Sequence, residues 1–201
     1  MRLSIVSTGL FVLALGCTSE PAADPRNPSD TPARAPRPSY TIEDISTGPA
    51  DDSYAWSINS ASQVAGWSST ITGQRGWVWI LRTVTWLPMP RGAIGSHAWG
   101  ISSEGQIAGS ILYSGSTSTA AFWATRSSSP RLIPTIGGSV NYALAVNASG
   151  RVAGMVMDAT GARQAFVWEA GTGSFTLLGT LGGANSEAID VNEAGTVTGC
   201  A

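Results

Sequence analysis

Glycine-rich turns, a histidine and several carboxylates are the residues of this sequence that could do chemistry. The segment TLLGTLGG (176–183) has the look of a phosphate-binding loop. Such loops work because backbone N–H groups and the N-terminus of a following helix face the anion. Here a strand-like stretch follows, the P-loop lysine is missing, and RLIPTIGG stands 45 residues earlier in the same context. We therefore predict that the segment ends a strand and binds no phosphate.

His97, the single histidine, could serve as the base of a Ser-His-Asp triad. In the repeat described below its position is filled by Tyr54, Tyr142 and Glu187, so we interpret it as a surface residue at the start of a strand. A zinc site needs several His or Cys ligands, and we expect the side chain of Cys200 to pack on a strand. No metal and no cofactor are therefore predicted.

Paired carboxylates are the other route to catalysis, because glycan hydrolysis uses two carboxyl groups about 5–10 Å apart. Glu104 and Glu193 fall in hairpin turns, Asp51 and Asp52 fall in a connecting loop, and no pair recurs in phase with the repeat. We predict that the protein is not an enzyme. A secreted glycan-active hydrolase or lyase is the alternative.

A repeat of 43–45 residues organises the chain from residue 54 onward and must position any functional side chain. Three columns of equivalent residues keep one phase. The alanine column is Ala55, Ala98, Ala143 and Ala188. The glycine column is Gly66, Gly109, Gly154 and Gly199. The third-strand tryptophan column is Trp79, Trp123 and Trp168.

Each repeat has the pattern of four short strands separated by turns such as NASG (147–150). In these turns the fourth residue is a glycine that supplies a positive φ, except at Ser62. Gly154 lies inside a strand, which predicts close approach of a neighbouring backbone. Four strands in 43–45 residues is the size of a β-propeller blade.

The predicted fold is therefore all-β, with blade-like repeats in a β-propeller-like arrangement over residues 40–201. Three full repeats and a partial fourth fit into this span. Because propellers close with 4–8 blades, we expect an incomplete propeller, and hence a fragment of a longer protein.

These columns resemble the HAF family of extracellular repeats, which joins an Ala-Ile-Asn strand, a glycine turn and a closing LGTLGG. The third repeat, residues 143–183, matches that pattern nearly throughout. Arg75, Thr119 and Gln164 replace the family histidine, so no role passes to those positions. The resemblance implies an exported β-repeat protein and no particular biochemical activity.

The N-terminus has the charge and length of an export signal: Arg2 precedes an apolar stretch too short to span a membrane. The ending ALGC resembles the lipobox of bacterial lipoproteins, with Gly16 and Cys17 at the two decisive positions. We predict a signal peptide over 1–16, lipidation of Cys17, and a proline-rich tether over 17–39. An ordinary secretory signal is the alternative.

These segments predict an exported protein that is anchored in a membrane through Cys17, with the outer membrane or cell surface as its destination. The net charge is −2 and the arginines are scattered, so no nucleic-acid partner is expected. The predicted function is a non-catalytic binding or scaffolding module in the cell envelope. Its expected partner is a glycan or another envelope protein.

Tryptophans and arginines are the candidate contact residues. The third-strand tryptophan column is predicted to form the core between repeats, whereas Trp67 and Trp86 break their columns and are candidates for exposed ligand contacts. Arg75 and Arg163 end loops that differ between repeats, and a guanidinium can hold a carboxylate or sulfate in bidentate fashion. Simple solvation of both arginines is the alternative.

Overall fold

The computed structural model describes residues 41–45 and 52–201. The predicted signal peptide over 1–16, the lipidated Cys17 and the tether over 17–39 lie outside the described residues. The chain divides into a unit that ends at Asp44 and a unit that spans Ile45–Ala201, and the second unit holds the repeats.

Within the described residues all regular structure is β and no helix occurs, so the prediction of an all-β fold is confirmed. No helix with the length and apolar character of a membrane span is found in this part of the chain. The strands are, in chain order, β1 (Asp52–Ile58), β2 (Val64–Thr70), β3 (Gly73–Ile80), β4 (Thr83–Trp86), β5 (Gly95–Ile101), β6 (Ile107–Tyr113), β7 (Thr117–Trp123), β8 (Arg131–Leu132), β9 (Gly137–Val146), β10 (Arg151–Asp158), β11 (Arg163–Glu169), β12 (Phe175–Gly179), β13 (Glu187–Val191) and β14 (Val197–Cys200).

Each repeat folds as an antiparallel meander in which consecutive strands are neighbours. Repeat 1 is the sheet β1–β4, repeat 2 comprises β5–β8, repeat 3 comprises β9–β12, and repeat 4 is the pair β13–β14. Repeats 2 and 3 share one sheet through a single parallel contact, in which Ser118 of β7 pairs with Val140 of β9. None of these sheets closes into a barrel.

The first strand of each repeat packs against the second and third strands of the preceding repeat. A separate hydrophobic core fills each junction: Ala98 and Trp123 lie in the core of repeats 1 and 2, Ala143 and Phe166 in the core of repeats 2 and 3. Ala188 lies in the core of repeats 3 and 4. A small residue is needed at Ala98, Ala143 and Ala188 because the preceding sheet lies directly over them, whereas Ala55 in the first repeat is exposed.

Buried polar side chains also link successive repeats. Ser96 and Ser186, which share one repeat position, each accept a hydrogen bond from a third-strand N–H of the repeat before, at 3.0 and 2.9 Å. Asn59 donates its amide to the Ser102 carbonyl at 2.8 Å, and Asn147 donates to the Asn192 carbonyl at 3.0 Å. These bonds fix the offset between one repeat and the next.

The hairpin between the first two strands of each repeat is the predicted turn. In repeat 3 the Gly150 N–H donates to the Asn147 carbonyl at 3.0 Å, and the φ of Gly150 is +82°. The equivalent Ser62 adopts a φ of +58°, although it has a side chain. The turn geometry thus overrides the residue type at this position, at a conformational cost.

Candidate functional site

A β-bulge interrupts the first strand of every repeat at the same place. Pairing between β1 and β2 passes from Ala55 to Ser57, which leaves Trp56 without a partner. Bulges bend a strand and re-aim the unpaired side chain. The unpaired residues form what we name the first-strand column: Trp56, Trp99, Leu144 and Ile189.

The glycine column permits these bulges. A Cβ atom on Gly66 would collide with the carbonyl oxygen of Tyr54, and a Cβ on Gly154 would collide with that of Tyr142. The same collision would occur at the other two members of the column, so no side chain fits at any of the four. The prediction that Gly154 marks a close approach of neighbouring backbone is therefore confirmed.

The first-strand column lines a single cleft of about 620 Å³. This volume falls within the range typical of small-molecule sites. Trp56 is 54% exposed, Trp99 is half-buried, and the first strands of all four repeats contribute to the lining. Glu187 and Asp190, both on β13, supply the carboxylates of the cleft.

Six rings from three repeats form a continuous aromatic array beside this cleft. The aromatic array consists of Tyr54, Trp56, Trp67, His97, Trp99 and Tyr142. Tyr54 stacks on Trp67 with 4.5 Å between ring centroids, and the edge of Trp56 meets Trp99 at 4.9 Å. Trp56 and Trp99 belong both to the array and to the cleft lining.

Three ring nitrogens inside the array are buried and have no hydrogen-bond partner among the residues that the structure describes: Trp67 Nε1, His97 Nδ1 and Trp99 Nε1. A buried polar group without a partner costs about 1–3 kcal/mol. The aromatic array therefore lowers stability relative to an apolar packing of the same shape, which is a frequent property of functional surfaces.

His97 lies between Trp67 and Trp99, at centroid distances of 4.6 and 5.0 Å. Burial among these rings lowers the pKa of His97 to about 4. Its Nε2 lies 2.9 Å from Gln74 Oε1, and a neutral ring that donates this bond carries its proton on Nε2. His97 is thus half-buried and not freely exposed as expected for a surface residue, because Trp67 and Gln74 of the preceding repeat contact its ring.

The four candidate ligand-contact residues do not meet at one place. Arg75 lies over the ring of Trp86 at 5.6 Å, and both side chains are half-buried. Trp67 is half-buried inside the aromatic array, stacked on its neighbours. Arg163 is exposed, forms an ion pair with Glu187 at 3.7 Å, and lines a second pocket of about 360 Å³ that shares Glu187 with the cleft. A ligand-contact role for these four residues stays a prediction.

The third-strand tryptophan column lies in the interior. Trp79 is 6% exposed, Trp123 is 0% exposed and Trp168 is 2% exposed. Trp123 Nε1 donates to the Pro88 carbonyl of the preceding repeat at 2.9 Å, and Arg131 covers the ring of Trp168 at 4.8 Å. Trp123 and Trp168 therefore face a neighbouring repeat, whereas Trp79 packs within repeat 1 and against Ile45, and all three are too buried to offer a surface to a ligand.

Sequence reasoning missed the first-strand column, although the sequence contained a signal for it. Tyr54 and Trp56 are two residues apart, as are His97 and Trp99, and this spacing places each pair on one face of a strand. Tryptophan gives way to leucine and isoleucine in repeats 3 and 4, so the column has no constant residue type that would mark it in the sequence. The bulge, which directs these side chains into the cleft, arises from the pairing of two strands and is not visible in the residue types.

Two further expectations concern the packing of Cys200 and the presence of a metal site. Cys200 is exposed, whereas we expected it to pack on its strand, and its position on β14 has no third strand against it among the described residues. No group of three or more His, Cys, Asp or Glu side chains suited to a metal occurs in the described part of the chain.

Comparison of the chain with protein-family models and with curated proteins found no match. The case for a function therefore depends on the cleft, the aromatic array and the repeat architecture.

Proposed function

We propose that this chain is a non-catalytic binding module of the cell envelope that takes a glycan into the cleft of the first-strand column. One observation carries the proposal: a bulge in each repeat directs the same column into one cleft, where the Trp56 indole stays 54% exposed. An exposed large aromatic ring in a concave surface is a feature of binding sites.

Sugar chemistry suits such a lining. A pyranose ring has an apolar C–H face that packs on an indole, and its hydroxyl groups donate hydrogen bonds to carboxylates. The cleft has both partners, since Trp56 and Trp99 line it together with Glu187 and Asp190. Leu144 adds apolar surface without a competing hydrogen-bond group.

We propose further that the repeats are blades of a β-propeller-like arc with their first strands innermost. The support is twofold. Each first strand packs on the second and third strands of the preceding repeat, and first-strand residues of all four repeats line one cleft. Membership of the HAF family belongs to the same proposal and depends on the repeat columns.

Anchoring through a lipid at Cys17 is the third part of the proposal, with the outer membrane or cell surface as the destination. Feeding labelled palmitate to expressing cells tests it. We expect the unmodified chain to incorporate the label and Cys17→Ser to lose it. Equal labelling of both chains would refute the anchor and would leave the cleft proposal unaffected.

The cleft is tested by titrating the full chain with neutral oligosaccharides by calorimetry. We expect Trp56→Ala to weaken binding at least tenfold, about 1.4 kcal/mol, and Trp99→Ala to weaken it similarly. Ile71→Ala is the matched control, because this side chain is 97% exposed outside the cleft. Loss of binding in Arg75→Ala or Arg163→Ala, with Trp56→Ala unchanged, would move the site to the loops.

A glycan-active hydrolase is the second candidate, and one observation favours it: Glu187 and Asp190 line the same cleft as the exposed indole. Two carboxylates beside a sugar are the groups that hydrolysis requires. Release of reducing ends from a bound oligosaccharide, abolished by Glu187→Gln or by Asp190→Asn, would establish the hydrolase and refute the non-catalytic proposal.

A further inference from the structure

We propose that the glycan bound in the cleft carries free amino groups, so that the module selects cationic over anionic sugars. This inference rests on the proposed function and adds the charge class of its ligand. Among residues 41–45 and 52–201, the ionisable side chains that line the cleft are Glu187 and Asp190, both acidic, and no arginine of these ranges contributes to its lining. The sequence contains no lysine.

The two carboxylates are not equivalent. Glu187 forms an ion pair with Arg163, whose Nη1 lies 3.7 Å from Glu187 Oε2, and this pair partly offsets the negative charge of Glu187. The carboxylate of Asp190 accepts a hydrogen bond from the Val191 N–H at 2.8 Å, and no arginine of the described residues pairs with it. Asp190 is exposed, so its carboxylate is accessible to a ligand. We therefore assign the main charge selectivity to Asp190 and a smaller part to Glu187.

The aromatic lining favours the same sign of charge. The face of an indole attracts cations through its quadrupole. Trp56 and Trp99 thus act in the same direction as the carboxylates, and the nearby His97 ring is neutral near pH 7. A uronate or sulfated sugar would meet repulsion from both kinds of group. An amino sugar would gain an ion pair and keep the C–H face that stacks on Trp56.

Four probes of matched length test this inference on the full chain at low salt. They are an oligomer of glucosamine, its fully N-acetylated counterpart, an oligomer of uronic acid, and an oligolysine peptide. We expect the glucosamine oligomer, at a pH where its amines are protonated, to bind at least tenfold more tightly than the N-acetylated oligomer. We expect the uronic acid oligomer to bind most weakly.

Two variants test which carboxylate causes the preference for the glucosamine oligomer. Asp190→Asn should remove most of the preference for the glucosamine oligomer, with the smaller part due to Glu187 retained, while binding of the N-acetylated oligomer persists. Glu104→Gln is the matched control, because it removes the same charge at an exposed hairpin turn and should leave the preference unchanged. Raising the salt concentration should reduce the preference, since it depends on charge.

The outcomes separate the two proposals. Equal binding of the two glucosamine-based oligomers, unaffected by Asp190→Asn, would overturn charge selectivity and leave glycan binding standing. Tighter binding of the uronic acid oligomer would do the same. Binding of oligolysine with neither sugar, or of no probe at all, would overturn both proposals.

Discussion

Tryptophans on the first and third strands of this repeat have opposite environments. Trp123 on the third strand is fully buried between two repeats, whereas Trp56 on the first strand is 54% exposed in the cleft. Two features account for the difference. The first strand has a bulge, whereas the third pairs regularly with the second. In addition, β1 belongs to repeat 1, which has no preceding repeat against it among the described residues, and most of β1 is exposed. Residue type alone does not distinguish a core tryptophan from one at the cleft; its strand and the packing of the neighbouring repeat do.

The largest effect that we expect separates these two classes directly. Trp123→Ala should lower the free energy of unfolding by about 3–5 kcal/mol, because it removes a fully buried indole from a junction core. Trp56→Ala should lower it by less than about 1 kcal/mol. Urea titration of both variants measures the difference. Equal destabilisation would mean that the first-strand column is also core and would remove the basis of the cleft proposal.

The second test acts on the bulge itself. Gly154→Ala should lower the free energy of unfolding by about 3 kcal/mol, because the new Cβ would collide with the Tyr142 carbonyl and lie 2.9 Å from Cζ of Phe166. Gly171→Ala is the control, since nothing lies within 4 Å of a Cβ built there. If both variants unfold at the urea concentration of the unmodified chain, the glycine column does not hold the bulge.

The third test probes the packing of the aromatic array through pH. The pKa of His97 falls from 6.5 to about 4 on folding. The unfolded chain then binds a proton between these values that the folded chain does not, so stability should decrease as the pH falls through this window. Because the ring is only half-buried, we expect a loss of about 2 kcal/mol.

His97→Tyr is the matched variant for this test, because tyrosine occupies the same repeat position at residues 54 and 142. We expect it to flatten the profile of unfolding free energy between pH 6.5 and 4. Hydrogen bonds from Thr160 lower the pKa of Asp158 below 3.8, so that residue contributes its own loss of stability only at more acidic pH. An unchanged slope in His97→Tyr would show that His97 is not desolvated.

The smallest expected effect concerns the turn beside the first strand. Ser62→Gly should raise the free energy of unfolding by about 0.5–1 kcal/mol, because glycine relieves the positive φ. Ser60→Gly, in the same turn at a position without a positive φ, should give no gain. Differential scanning calorimetry compares the two, and a gain from Ser60→Gly alone would contradict the turn assignment.

The sequence predicted what depends on composition and period, and failed where long-range packing decides. The repeat columns predicted all-β sheets, the turns and the close approach at Gly154, because each depends on local geometry. The half-burial of His97 was not predicted, since it depends on Trp67, which lies in a strand of the preceding repeat. Trp56 was overlooked, because a bulge is an offset between two strands that one strand's residues do not reveal.

The glycine column has a consequence for how this scaffold could change its specificity. The glycines leave room for the backbone at the bulge, and a Cβ at any of them would collide with a carbonyl oxygen of the first strand. Three residue types occupy the bulged position, tryptophan at 56 and 99, leucine at 144 and isoleucine at 189, on one backbone geometry. Each repeat therefore keeps the same bulged backbone while the side chain at the bulged position can vary. Substitutions at Leu144 and Ile189 could therefore change which ligand the cleft binds, while the strand pairing of the sheets stays the same.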